Sequence, residues 1–409
     1  MAEHIQAFCR RRLRTREDVD YFVVLCLTVS VFLSVYTAVA ACAAIAVATM
    51  MSYERRRRAL ASPYARLLLG FLLVPFFVSA MYDNILGLLA SFALYAVVIC
   101  GLYVRSVMTR RLFARVLDLC CQCSVGCFVL ALVQKLAAYP SAPDYRPVST
   151  FTNANYYGAV VEMMLLICLY RCVTNRSARK WYLAAACLNL GGLYLTGSMS
   201  SAAAACVGIL VFLALQHRRR LAFLFCVGAA GVLVLITCFP FLFPRVESVD
   251  VAWDQRFSIW ETALRAIADH PLFGQGAVAY HKAAIQYGGY LTYHSHNLLI
   301  DLVLNFGLAG LLVIGYYAFQ QGKLLLLRFR NRIGNASNVL MVAALSSMLV
   351  HGVTDVTIFW PQTGMLMFFI LSSLSVGAEF LEREIEPRSL TVPAAFRLRP
   401  LAVFCFPLA

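Results

Sequence analysis

Apolar runs long enough to cross a membrane recur from Tyr21 nearly to the end of the chain, separated by short basic or turn-rich breaks. A helix rises 1.5 Å per residue, so about 20 apolar residues cross the roughly 30 Å hydrocarbon core of a bilayer. Of the 409 residues, 61% are hydrophobic and 13% are charged, whereas about a quarter are charged in a soluble domain. The pattern therefore predicts an all-α polytopic membrane protein.

The positive charges indicate how the runs are threaded. The net charge is +15, and the Lys and Arg residues cluster in the breaks, as cytoplasmic loops of membrane proteins do. The amino terminus and residues 54–58 are both strongly basic, so an even number of crossings must lie between them. The run from Tyr21 to Met51 is accordingly predicted as two helices that meet near Ser34 to Thr37. Continued along the chain, the rule predicts about twelve transmembrane helices with both termini inside.

This threading divides the chain into three parts, which are a cytoplasmic segment 1–20, a transmembrane domain 21–380 with external loops 136–155 and 244–296, and a cytoplasmic tail 381–409. The longer external loop is predicted to carry a short amphipathic helix, with Phe257, Trp260, Ala263, Leu264 and Ile267 on its apolar side. The helix should stop before a Pro and Gly turn, "HPLFGQG". Its arginines would face the outer surface, where they can bind anionic groups.

The cysteines suggest no disulfide framework and no metal centre. Nearly all of the 15 lie inside apolar runs, and "CCQC" lacks a second cluster or a zinc-ribbon spacing. Buried free cysteines pack like small hydrophobic residues. We therefore expect neither a metal nor a cofactor.

Three motifs carry a family resemblance, and all would lie on the external side. The first is "TFTNANYYG" at 150–158, the second is Arg256 with Trp260 in R-x-x-x-W before "HPLFGQG", and the third is His296-Asn297 with nine residues before Gly307-x-x-Gly310. In this combination the chain resembles the O-antigen ligase and polymerase superfamily from about 148 to 365. Only His296 fits the glycine register, because counting from His294 reaches Leu304 and Asn305.

The resemblance implies an activity and roles for residues. Family members transfer a glycan from an undecaprenyl diphosphate carrier to an acceptor hydroxyl at the outer face of the bacterial plasma membrane, without a metal. His296 would be the catalytic base, and Arg256 a ligand of the diphosphate. Further substrate-binding residues are expected among Arg146, Arg265, Asn153, Asn155, Trp260 and Asn297. The expected partners are the lipid-linked donor, a glycolipid or glycan acceptor and membrane lipids, with no nucleic acid.

The residue types suit this chemistry independently of the family. Arginines can hold the charge that develops on a departing diphosphate, and a histidine is the usual base for an acceptor hydroxyl near neutral pH. Direct displacement would invert the anomeric centre. One position departs from the family pattern, since Met199 stands where many members carry an arginine. Arg146, on the neighbouring external loop, is the candidate to replace it.

The motifs are also compatible with other functions. A polysaccharide polymerase would use the same donor and the same motifs. A transporter of a lipid-linked sugar or a small solute would instead use acids inside the membrane as coupling sites, here Glu162, Asp301 and Asp355. These acids and His351 could equally pair with one another between helices. The polar residues gather at one face rather than at the bilayer midplane, which favours surface chemistry over transport.

Overall fold

A computed structural model describes residues 15–243, 245, 249–378 and 381. Most of the predicted cytoplasmic segment 1–20 and nearly all of the predicted tail 381–409 therefore lie outside the described residues, as do residues 244 and 246–248 of the longer loop. Within the described residues, every regular element is a helix and no strand is present.

The α-helices follow one another in this order: α1 Arg16–Leu33, α2 Val35–Met51, α3 Tyr53–Ala59, α4 Ala65–Phe71, α5 Val74–Met81, α6 Ile85–Val107, α7 Arg110–Ala138, α8 Ala154–Thr174, α9 Arg179–Thr196, α10 Met199–Leu215, α11 Arg219–Cys238, α12 Val249–Asp269, α13 Ala279–Tyr287, α14 Leu298–Arg330, α15 Asn335–His351 and α16 Pro361–Leu371.

Among the described helices, five are long and apolar enough to span a membrane: α6, α7, α8, α11 and α14. A sixth span is possible if α2 and α3, which meet at a bend of 108°, act as one. Shorter apolar helices cover 65–81, 199–215, 335–351 and 361–374. The chain is thus a multi-pass, all-helical membrane protein, and the count of about twelve crossings stays a prediction.

The break between the first two helices follows from one serine. Ser34 ends α1 and caps α2, because its hydroxyl accepts a hydrogen bond from the Thr37 amide while the Thr37 side chain accepts one from the Ser34 amide. This reciprocal arrangement satisfies two of the amides that a helix start leaves without partners.

Helix α8 forms the centre of the bundle, since nearly all of its residues are buried. It packs against α9, α10 and α15, and a buried hydrogen bond joins it to α15. His351 Nδ1 lies 2.9 Å from Glu162 Oε2, and the two side chains are 1% and 0% exposed. The interhelical pairing that the sequence left open is therefore present for these two residues.

Helix α14 is broken at Gly307, and the "HPLFGQG" turn fills the break. Gly307 has φ of +66°, in the left-handed region, and a Cβ there would lie 2.2 Å from the Leu272 carbonyl oxygen. The turn pairs with the backbone of α14 on both sides of the break, through Gln275 N to Leu304 O, Gly276 N to Asn305 O, Leu308 N to Pro271 O and Ala309 N to Leu272 O. Main-chain groups freed by the break thus find partners, and the segment 249–296 is fixed against α14.

The buried side of α12 agrees with the prediction only in part. Ile259, Ala263 and Ala266 are buried against α13 and α14, and Trp260 and Ile267 are partly buried beside them. Phe257 and Leu264, which the sequence placed on the apolar side, are 58% and 55% exposed. The helical periodicity predicted a helix here, but the small alanines decided which side could approach α13 closely.

Candidate active site

The segment "HSHN" at 294–297 is held by the start of α14. The Asn297 side chain caps this helix by accepting hydrogen bonds from the amides of Leu299 and Ile300, each at 3.0 Å. Its Nδ2 donates to the Val353 carbonyl at 3.0 Å. Asn297, a predicted substrate ligand, therefore has a clear structural task in this fold.

The same segment forces His296 into a rare backbone conformation. Its φ is +51°, a left-handed value that costs a residue with a side chain on the order of 1–3 kcal/mol. A hydrogen bond next to His296 helps to hold this conformation, because the buried Asp301 carboxylate accepts from the Ser295 amide at 2.8 Å. The Leu298 amide donates to Gly352 O at 2.7 Å. Strained residues persist where the surroundings over-determine them, and such positions cluster at functional sites.

His296 does not stand alone. Its ring lies 4.2 Å from that of His294, and the Nδ1 atom of each histidine lies 3.9 Å from the same oxygen of Asp355. The sequence singled out His296 by its glycine register, and the fold brings His294 and Asp355 to the same place. Asp355 also accepts a hydrogen bond from the Val356 amide at 2.8 Å, which fixes the orientation of its carboxylate.

Burial and charge control how this cluster ionises. Burial lowers the pKa of His296 to about 4, with His294 and Arg256 acting in the same direction and Asp355 opposing them. For Asp355, burial alone would raise the pKa, but the neighbouring His294 and His296 bring it below its usual value. At neutral pH the cluster therefore contains a carboxylate beside a neutral His296, which is the protonation state a general base requires.

Arg256 reaches the cluster from α12. Its Nε donates to the Thr354 carbonyl at 3.3 Å, one residue before Asp355, and its guanidinium lies 5.8 Å from the centre of the Trp253 ring. Burial lowers its pKa, Asp355 raises it and Arg245 lowers it again. The arginine and the histidine of two separate motifs thus meet at the turn that follows α15.

Arg146 and the asparagines of "TFTNANYYG" form a second polar group. Arg146 donates to Asn155 Oδ1 at 2.6 Å and to the Thr196 carbonyl at 2.5 Å. Burial and the charge of Arg245 lower the pKa of Arg146 to about 10, so it stays charged at neutral pH. Asn153 caps α8 by accepting from the Tyr156 amide at 2.9 Å.

Two predicted ligands of α12 have other contacts. Trp260 packs with Trp253 and Phe257, at ring distances of 6.2 and 5.5 Å. Arg265 pairs with Glu261 at 2.6 Å, with 61% and 66% of these side chains exposed. Their substrate-binding roles remain predictions.

Asp355 has a partial signal in the sequence, whereas its proximity to the histidines has none. An ionisable residue in an apolar run is a functional candidate by default, but it lies far along the chain from His296. The spacing of residues along the sequence predicted no metal site. In the fold, however, the ligand atoms of His294, His296 and Asp355 all lie within 4.8 Å of one another and could hold a metal ion. The geometry alone fits either a base beside a carboxylate or a metal ligand set.

Residues 184–315 match the O-antigen ligase family model. The matched range contains Arg256, Trp260, His296 and both glycines of the third motif, so the resemblance to the O-antigen ligase and polymerase superfamily is confirmed. No curated protein matches the chain. The O-antigen ligase match implies a glycosyltransferase-like enzyme whose partners are, in general terms, a lipid-linked glycan and an acceptor. Arg146 and Asp355 lie outside the matched range.

Proposed function

We propose that the protein transfers a glycan from an undecaprenyl diphosphate carrier to an acceptor hydroxyl at the outer face of the bacterial plasma membrane. The observation that carries this proposal is the meeting of two motifs at one turn. Arg256 bonds to the carbonyl of Thr354, and the next residue, Asp355, lies 3.9 Å from His296. A base and a cation for a departing phosphate are thus within one site.

In the proposed reaction, His296 takes the proton of the acceptor hydroxyl. The acceptor oxygen forms a bond to the anomeric carbon while the bond between that carbon and the diphosphate oxygen breaks. The electron pair leaves with the diphosphate, where Arg256 stabilises the developing charge. Attack opposite the leaving group inverts the anomeric centre.

Asp355 supports the base in the same step. When His296 becomes an imidazolium, the carboxylate at 3.9 Å stabilises the new positive charge, as the acidic member of a catalytic triad does. His294 lies beside the same carboxylate oxygen. One carboxylate can stabilise only one new positive charge, so we expect only one of the two histidines to act as the base. Both histidines lie 3.9 Å from this oxygen, and His296 is assigned as the base because it alone fits the glycine register.

A polymerase is the second candidate, because it needs the same donor and base and differs only in the acceptor. Transport by the buried acids has less support. Glu162 is paired with His351, and Asp301 is bonded to Ser295 and Asn305, so both have partners that fix the fold.

The test uses purified protein in vesicles with a diphosphate-linked lipid glycan, with and without candidate acceptors, in the presence of EDTA. We expect transfer to a glycolipid acceptor, and loss of about 10²–10⁴-fold in rate for His296→Ala. His281→Ala is the matched control, because this histidine stacks on Tyr293 at 5.2 Å and has no part in the mechanism.

Three outcomes would separate the alternatives. Transfer that elongates the donor glycan itself would identify a polymerase. Abolition of transfer by EDTA, with recovery on adding a divalent ion, would mean that the three-residue cluster binds a metal. Absence of any transfer product with every acceptor would refute the proposed function.

A further inference from the structure

The turn after α9 brings together two arginines that the sequence does not connect. Gly197 ends this helix in the left-handed region, with φ of +57°. A Cβ on Gly197 would lie 3.2 Å from Cγ of Arg245 and 3.6 Å from Nε of Arg146. Both side chains therefore pack over the same glycine, although one comes from the segment before α8 and the other from the segment before α12.

The contacts of Arg146 supply no neutralising charge. Its hydrogen bonds within the described residues go to the Thr196 carbonyl and to the Asn155 amide oxygen, both of which are neutral. Arg245 acts on Arg146 and on Arg256 as a like charge, and in both cases it lowers the pKa of its neighbour. The guanidinium of Arg245 is thus within electrostatic reach of both Arg146 and Arg256.

An anion that binds between like charges is attracted by each of them. Guanidinium groups form bidentate hydrogen bonds with phosphate oxygens. A single phosphate can be held by one or two such groups. A diphosphate presents two phosphoryl groups and suits a longer row of cations.

We propose that Arg245, together with Arg146 and Arg256, binds the diphosphate of the lipid-linked donor, and that Arg245 is the residue that favours a diphosphate over a single phosphate. This inference rests on the proposed function, and it adds a ligand that none of the sequence motifs contains. Arg245 lies against the turn that leads to Met199, so it also supplies a cation beside a position where this chain has none.

The role in the reaction follows from the charge balance. When the bond from the anomeric carbon to the diphosphate oxygen breaks, both electrons stay on that oxygen and the diphosphate gains one negative charge. The proton of the acceptor hydroxyl goes to His296 at the same time. A third arginine beside the diphosphate stabilises the product more than the donor, so its loss should lower kcat as well as weaken donor binding.

The experiment compares Arg245→Gln and Arg245→Lys with the control Lys282→Gln. Lys282 is a cation of the same segment whose ammonium lies over the Tyr82 ring at 5.8 Å, and no contact links it to the Gly197 turn. All proteins are prepared in neutral phosphatidylcholine vesicles and, in parallel, in anionic vesicles, and their folding is checked by helical circular dichroism and size exclusion. Arg245 is exposed, so we expect the variants to fold.

The first readout is transfer, with inorganic pyrophosphate and inorganic phosphate as competitors of the donor. Arg245→Gln should reduce kcat/KM by about 10- to 100-fold, the range for loss of one charge-assisted hydrogen bond. It should also weaken inhibition by pyrophosphate by a similar factor and leave the weaker inhibition by phosphate almost unchanged. Arg245→Lys should recover part of the loss, and Lys282→Gln should behave as the wild type.

The second readout is pyrophosphate binding by calorimetry, which does not depend on activity. Wild-type transfer and pyrophosphate binding that are both unchanged in Arg245→Gln would overturn the inference while leaving the proposed function intact. Pyrophosphate binding that depends on Arg245 in a protein without transfer activity would support the inference and refute the function. A defect of Arg245→Gln that appears only in anionic vesicles would mean that this arginine binds lipid headgroups, and would also overturn it.

Discussion

Replacing Asp355 by Asn tests the central charge relation of the site. The substitution keeps the size and the hydrogen bond from the Val356 amide, and it removes the carboxylate charge at 3.9 Å from His296. Two unit charges at this distance interact by about 1 kcal/mol at a dielectric constant near 80 and by about 4 kcal/mol near 20. The imidazolium that forms in the transition state should lose this stabilisation, so the rate at pH 7 should fall by roughly 5- to 1,000-fold.

The charge of Asp355 also decides in which direction the pH profile of kcat/KM should move. A general base works in its neutral form, and the pKa of His296 in the free protein is lowered to about 4. The value of kcat/KM should therefore rise as pH increases through about 4 and should be flat near neutrality. Asp355 raises the pKa of His296, so Asp355→Asn should move this rising limb to lower pH. With donor bound, the diphosphate charge should raise the pKa, so the limb of kcat should lie at higher pH than that of kcat/KM.

The assay is the initial rate of transfer between pH 3 and 8 at saturating and at low donor concentration. Asp269→Asn is the control, since this exposed carboxylate of α12 accepts a hydrogen bond from Tyr287 and does not contact the histidines. A wild-type limb of kcat/KM near 6.5 would refute the burial argument for His296. Full activity of Asp355→Asn at pH 7 would remove the carboxylate from the mechanism.

Three further predictions concern the arginine, the topology and the broken helix. Arg256→Lys should keep the fold but lower transfer at least tenfold, because the ammonium loses the bidentate fork; near-normal rates would exclude Arg256 from the diphosphate site. In a cysteine-free background, Asp250→Cys should react with a membrane-impermeant thiol reagent from the outside, and labelling from the cytoplasm alone would reverse the predicted topology. Gly307→Ala should lower the unfolding temperature and the activity, because its Cβ would meet the Leu272 carbonyl oxygen at 2.2 Å. The control Gly228→Ala has open space around it and should leave both unchanged. Equal thermal stability of the two variants would contradict this prediction.

The sequence predicted those features that depend on local chemistry. The break at Ser34 followed from charge counting, and a capping residue was indeed found there. The third motif predicted a role for the glycines, and Gly307 is the residue that allows the close approach of the "HPLFGQG" turn. Periodicity predicted the helix around Arg256, since the helical pattern of apolar residues is a property of neighbouring positions.

Features that depend on tertiary approach could not be predicted in this way. Which side of α12 is buried depends on α13, and the small Ala266 was less conspicuous in the sequence than the exposed Phe257. The position of Arg245 over Gly197 depends on where two distant turns meet. Hydrophobic periodicity contains no information on such meetings, and a single sequence has no covarying pairs to supply it.

The turn after α15 shows why the parts of this site depend on one another. Four successive residues each hold a different part of it, namely Gly352 O with the Leu298 amide, Val353 O with Asn297, Thr354 O with Arg256, and the Asp355 carboxylate beside His294 and His296. Three of these contacts use main-chain carbonyl groups, which any residue type provides, so no motif marks them. This turn is itself fixed to the centre of the bundle, because His351 at the end of α15 is paired with Glu162 of α8. A shift of α15 would therefore move the base, its carboxylate and the arginine together, which makes the packing of α8 against α15 part of the geometry of the proposed reaction.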